Sequence, residues 1–95
     1  MSAASYSADE QAVMDALVTA AGVTVTGIAF GGFASHWLGQ KAWPGYPHPT
    51  ARAARTLKAL RKRGMAECIG TNGMWRFTDA GCRELREIAR SAVSC

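Results

Sequence analysis

Hydrophobic positions along this chain recur with two different periods, and the change of period divides it into helical and extended parts. Ser7-Ala8-Asp9-Glu10 is a capping-box pattern: the Ser7 hydroxyl accepts an amide hydrogen bond and Glu10 reaches back to the Ser7 amide. Val13, Leu17 and Ala20 or Ala21 follow at helical spacing, flanked by Met14 and Val18, and Gly22 is a natural stop. A first helix is predicted over 8–21, with residues 1–6 frayed ahead of it. The β-branched run Val23-Thr24-Val25-Thr26 suits a short strand or an extended connector. A second helix is predicted somewhere within 27–39, starting at Gly27 or as late as Gly32, with Phe30, Phe33 and Trp37 on one face. Its Gly31-Gly32 pair weakens it by roughly 1 kcal/mol per glycine relative to alanine.

Residues 40–48 read as a loop, because Pro44-Gly45 is a turn signal and Pro44, Pro47 and Pro49 exclude regular helix. Pro49 or Thr50 then opens a helix that runs to Arg63 and ends at Gly64, with Ala53, Leu57 and Leu60 as the core stripe and Ala54 beside it. Arg52, Arg55, Thr56, Ala59, Arg61, Lys62 and Arg63 fall mostly outside that stripe. After Gly64 the period drops to two. Met65–Ile69 and Met74–Phe77 read as strands joined by Gly70-Thr71-Asn72-Gly73, and Asn-Gly between apolar runs is a strong hairpin signal. Thr78-Asp79 caps a last helix with Cys82, Leu85, Ile88 or Ala89, and Ala92 on one face, and Glu84, Arg86, Glu87 and Arg90 on the other.

Composition narrows the class. A chain of 95 residues holds one domain, here 7–95, and 48% hydrophobic with 19% charged residues is ordinary for a folded protein. No apolar run is long enough for a membrane span, and the first residues carry neither the basic nor the apolar region of a signal peptide. Cys68, Cys82 and Cys95 have no CxxC spacing, and His36 and His48 complete no ligand set, so reduced thiols in a cytoplasmic protein and no metal or cofactor are expected. The cysteines have no recognisable base, Asp79 is explained as a helix start, and Gly31-Gly32 lacks the Lys-Ser/Thr of a P-loop. Glu67 with Asp79 is a weak acid/base pair, so the chain is not expected to be an enzyme.

The net charge of +4 is mild, but no acidic residue lies between Asp15 and Glu67, while Lys41, Arg52, Arg55, Lys58, Arg61, Lys62 and Arg63 all do. One-signed charge concentrated on one element suits a polyanion. The segment Leu57-Lys58-Ala59-Leu60-Arg61-Lys62-Arg63-Gly64-Met65, followed by Trp75-Arg76-Phe77-Thr78-Asp79-Ala80-Gly81, resembles the signature of small winged helix-turn-helix regulators of the MarR and PadR types. The resemblance covers about residues 50–81. It implies an α+β fold, mostly helical, with a C-terminal β-hairpin wing and a final helix. It also implies double-stranded DNA as partner, with a recognition helix at about 49–63 and a wing at about 65–77.

The side chains agree with that role on physical grounds. Residues near the N-terminus of a groove-bound helix reach base edges, which here means Thr50, Arg52 and Arg55, with Ala51 suited to a thymine methyl. Arg52 or Arg55 is the expected base reader. His48, Thr50 and the helix amides suit a phosphate. Thr56, Lys58, Arg61, Lys62 and Arg63 extend the basic helix, the last three also reading as a solvated, dipole-complementing end. Thr71, Asn72 and nearby Arg76 form the expected wing contact. The loop at 40–48 is longer than the usual turn, and its Trp43 and Tyr46 either cover the core or anchor a protein partner. The competing expectation is therefore a protein-interaction module or inhibitor of the kind that phages encode. Regulators of this kind, phage or bacterial, pair through their first and last helices, so a homodimer is expected.

Overall fold

A computed structural model describes residues 6–21, 32–70 and 73–94. Among these residues the chain forms α1 (Ala8–Ala21), β1 (Phe33–Ala34), α2 (Ser35–Ala42), α3 (Pro49–Lys62), β2 (Ala66–Ile69), β3 (Met74–Phe77) and α4 (Asp79–Ser94). The class is α+β: helices packed against a small antiparallel sheet of order β1-β3-β2. No helix among the described residues is long and apolar enough to cross a membrane.

The capping box at the start of α1 forms as the spacing predicts. The Ser7 amide donates to Glu10 Oε1 at 2.9 Å, and the Glu10 amide donates to Ser7 Oγ at 3.2 Å. The helix buries Val13, Met14, Ala16 and Leu17, whereas Ala20 is exposed. Tyr6 does not fray: it packs against the core, and its hydroxyl donates to Glu84 of α4 at 2.7 Å.

The second helix is displaced from its predicted span. Gly32 takes a φ of 98°, a conformation no helix continues through, and Phe33-Ala34 pair with Trp75 and Met74 as a strand. Phe33 therefore packs on Trp37 and Phe77 from the sheet rather than from a helical face shared with Phe30. At the other end Gln40, Lys41 and Ala42, predicted as loop, are helical, and α2 stops just short of Pro44. The connector at 23–26 and the predicted helix start at 27–31 lie outside the described residues.

Proline at the first position starts α3, and a Schellman motif ends it. The Gly64 amide bonds the Arg61 carbonyl and the Met65 amide bonds the Leu60 carbonyl, with Gly64 at φ 79°. Met65 belongs to that cap, so β2 begins one residue later than predicted. The hairpin is not C-terminal: the 16-residue α4 follows it and buries Cys82 and Leu85. Thr78 caps α4 as expected, accepting the Gly81 amide at 3.2 Å while its hydroxyl donates to the Gly64 carbonyl at 2.6 Å.

Leu38, Leu57, Leu60, Phe77 and Leu85 join the α1 residues in one core, each fully buried and contributing about 1.5–3 kcal/mol. Two close approaches set the frame. A Cβ at Gly39 would run into the Pro49 carbonyl, so α2 and α3 cross in contact there, and a Cβ at Gly81 would run into the Met65 carbonyl. Cys68 is exposed and Cys82 buried, both free thiols, while Cys95 lies outside the described residues.

Candidate nucleic-acid interface

Ala53, Thr56, Leu57 and Leu60 fix which way α3 faces, because they are its buried residues. Thr56 was expected at the surface; instead it is 5% exposed, with its hydroxyl donating to the Arg52 carbonyl at 2.8 Å. That satisfies the group one turn back and removes Thr56 from any surface contact. Opposite the buried stripe, Ala51, Arg55, Lys58 and Lys62 recur at i, i+4, i+7 and i+11, and all four are exposed. Arg55, Lys58 and Lys62 make no ion pair among the described residues.

The flank of α3 that faces α1 is different. Arg52 donates to Asp9 from both Nε, at 3.2 Å, and Nη2, at 2.7 Å. Its guanidinium carbon also lies 4.5 Å from the Trp43 ring centroid and 4.6 Å from that of Tyr46. A residue predicted to read a base is thus held by a carboxylate and two rings. Asp9 is kept below its ordinary value by the Arg52 hydrogen bond, with the charges of Arg52 and Arg55 adding. At the C-cap of α3, Arg63 forks onto Glu10, Nε to Oε2 at 3.0 Å and Nη2 to Oε1 at 3.2 Å. Burial pushes the Glu10 carboxyl up, but the hydrogen bonds from Arg63 and Ser7 outweigh it and hold Glu10 below its ordinary value. Arg63 is therefore tied to α1 while still exposed to solvent.

Around the start of α3 the geometry gathers a polar rim. His48 is the exposed N-cap residue and makes no side-chain cap bond. Thr50 Oγ1 lies 3.0 Å from His36 Nδ1 on the first turn of α2. The Ser35 amide donates to the Gly73 carbonyl at 2.9 Å, so the base of the hairpin turn sits against the same end of α2. Nothing in the spacing of His36 along the chain signals this position. Thr71 and Asn72, the expected wing tip, lie outside the described residues. Arg76, expected near the tip, faces solvent across the ladder from Glu67 and pairs with it at 3.0 Å. Arg61 leans over the Trp75 ring at 5.7 Å.

Trp43 is half-buried against the core and Tyr46 is 46% exposed, each with one face on Arg52. Trp43 thus covers part of the core, while nearly half of Tyr46 stays at the surface. Among the described residues no group of three His, Cys, Asp or Glu is placed to hold a metal ion. Compared with known proteins, the chain matches no family model, no curated protein and no solved structure.

Proposed function

We propose that the chain is a winged helix-turn-helix that binds double-stranded DNA, with α3 in the major groove and the β2–β3 hairpin as a wing on the backbone or minor groove. The order helix, strand, helix, helix, strand, strand supports the fold, as does the first strand pairing with the third. The observation that carries the function is the outward stripe of α3. Arg55, Lys58 and Lys62 stand on the face opposite the core, with no carboxylate within ion-pair reach among the described residues. An α-helix fits the major groove, and each cation that neutralises a phosphate releases bound counterions. His36, His48 and Thr50 lie where the helix ends approach the backbone.

A regulator built this way presents two such helices by pairing copies through α1 and α4, and sedimentation at micromolar concentration tests that pairing. Fluorescence polarisation with labelled duplexes at two salt concentrations tests binding itself. The expected result is an affinity whose logarithm falls with log salt by roughly 0.9 per phosphate contacted. No affinity at low salt, or an affinity indifferent to salt, removes the reading.

A further inference from the structure

Resting on that reading, we infer that Arg55 is the single direct base reader among the described residues of α3. The base it takes is guanine, so each bound chain specifies one G·C pair and draws most of its affinity from the backbone. The inference follows from which side chains are still free to reach a groove floor. Arg52 is withdrawn by the two-point bond to Asp9 and by the Trp43 and Tyr46 rings. The Thr50 hydroxyl is shared with His36, and Thr56 is buried. The outward stripe that remains is Ala51, Arg55, Lys58 and Lys62. It contains no Asn or Gln to grip adenine and no Asp or Glu to accept from cytosine.

Position separates the three cations. A groove-bound helix reads bases near its N-terminus and meets phosphates as it leaves the groove. Lys58 and Lys62 lie about 4.5 and 10.5 Å beyond Arg55 along the axis, at the rise of a helix, which places them toward the strands rather than the floor. Arg55, nearly two turns into α3, is the nearest of the three to its N-terminus, and its planar fork matches the paired acceptors of guanine. Ala51, about 6 Å nearer the N-terminus, offers only a methyl and no hydrogen bond to a base edge. One bidentate pair discriminates by about 5- to 150-fold, whereas specific regulators reach roughly 10³ or more over random DNA.

Selection of bound duplexes from a randomised pool, with the full chain, is the test. The wild type should enrich one dominant G·C pair per bound chain, and changing that pair to A·T should cost about 5- to 150-fold. Arg55→Ala should bind all sequences alike while leaving the salt slope within about half a unit of wild type, and Lys58→Ala should lower the slope by about one. Arg55→Gln should move the preference from guanine to adenine. Several specified pairs that survive in Arg55→Ala would overturn the inference alone. So would an Arg55→Ala defect equal on every sequence and matched by a lower salt slope. Failure of the wild type to bind any duplex at low salt would instead remove the DNA reading beneath it.

Discussion

Two faces of α3 carry the same residue types and put them to opposite uses. On the flank toward α1, Arg52 and Arg63 are each gripped at two points by carboxylates of the first helical turn, Asp9 and Glu10. On the outward stripe, Arg55, Lys58 and Lys62 have no such partner among the described residues. Arg52 and Arg55 are one turn apart, so the difference is not local chemistry but what lies across from each. Formal charge on a helix overstates the charge available to a ligand. The acidic first turn of α1, which also complements that helix's dipole, takes up two of the seven cations in the acid-free stretch. What is left is narrower than the sequence suggests, and it points one way.

The most severe way to break this contrast is to move α3 itself. Gly39→Ala drives a Cβ into the Pro49 backbone at the α2–α3 crossing, where no flexible side chain can give way. Overpacking against backbone should cost about 3 kcal/mol or more, lowering Tm by more than about 10 °C and removing both faces together. Thermal denaturation followed by circular dichroism reads this, and a melt near wild type would mean that the crossing is not held by contact. The next effect separates the faces. Arg55→Ala/Lys58→Ala/Lys62→Ala should weaken duplex binding by roughly a hundredfold and flatten the salt slope by about two, with little change in Tm. Unchanged affinity in the triple variant would move the interface off α3.

How far this could be read from the sequence depends on the range of the interactions involved. The capping box, the helix over 8–21, the Schellman end at Gly64 and the Thr78 cap each involve residues within a few positions of one another, and the spacing predicts them. β1 could not be read that way, because two residues become a strand only through pairing with Trp75 and Met74 far along the chain. The site shows the same split. The stripe of Arg55 and Lys58 follows from helical periodicity. The capture of Arg52 and Arg63 does not, because Asp9 and Glu10 stand 43 and 53 residues away from them. Within α3 itself no acidic residue stands at i, i+4 from Arg52, so the sequence alone leaves its charge free for a base. Thr56 misled for a related reason: its polarity suggests the surface, but a hydroxyl that bonds the carbonyl one turn back can sit in a core.

The Glu10–Arg63 tie sharpens the inward half of the contrast. Arg63→Met leaves a buried carboxylate with the Ser7 amide as its remaining hydrogen bond among the described residues, and should cost about 1–2 kcal/mol at pH 7. The pH dependence carries the sign. Glu10 has a folded-state value below its ordinary one, so its contribution is complete well above the ordinary carboxylate range and fades as pH falls through the lower, folded value. Without Arg63, burial is left to push Glu10 up, and protonation relieves it. The gap between wild type and Arg63→Met should therefore narrow as pH drops from 7 toward 4. A gap that is constant over that range would mean that Arg63 stabilises by packing on Tyr6 rather than through Glu10.

The smallest effect tests whether the hairpin belongs to the outward face. Arg76 and Glu67 are each close to half exposed, and a pair so solvated contributes at most about 0.5–1 kcal/mol, so Arg76→Ala should barely move Tm. Its influence on a polyanion is another matter. Glu67 now cancels the charge that the hairpin would offer a phosphate, and Glu67→Gln releases Arg76 without altering the strand register. If the hairpin lies along the duplex as a wing, Glu67→Gln should tighten binding a few-fold at low salt and steepen the slope by about one, and Arg76→Ala should do the reverse. If neither variant changes affinity while the α3 triple variant abolishes it, the helix binds without the hairpin. The cross-strand pair then serves only the sheet, and the charge on this surface is confined to a single helix.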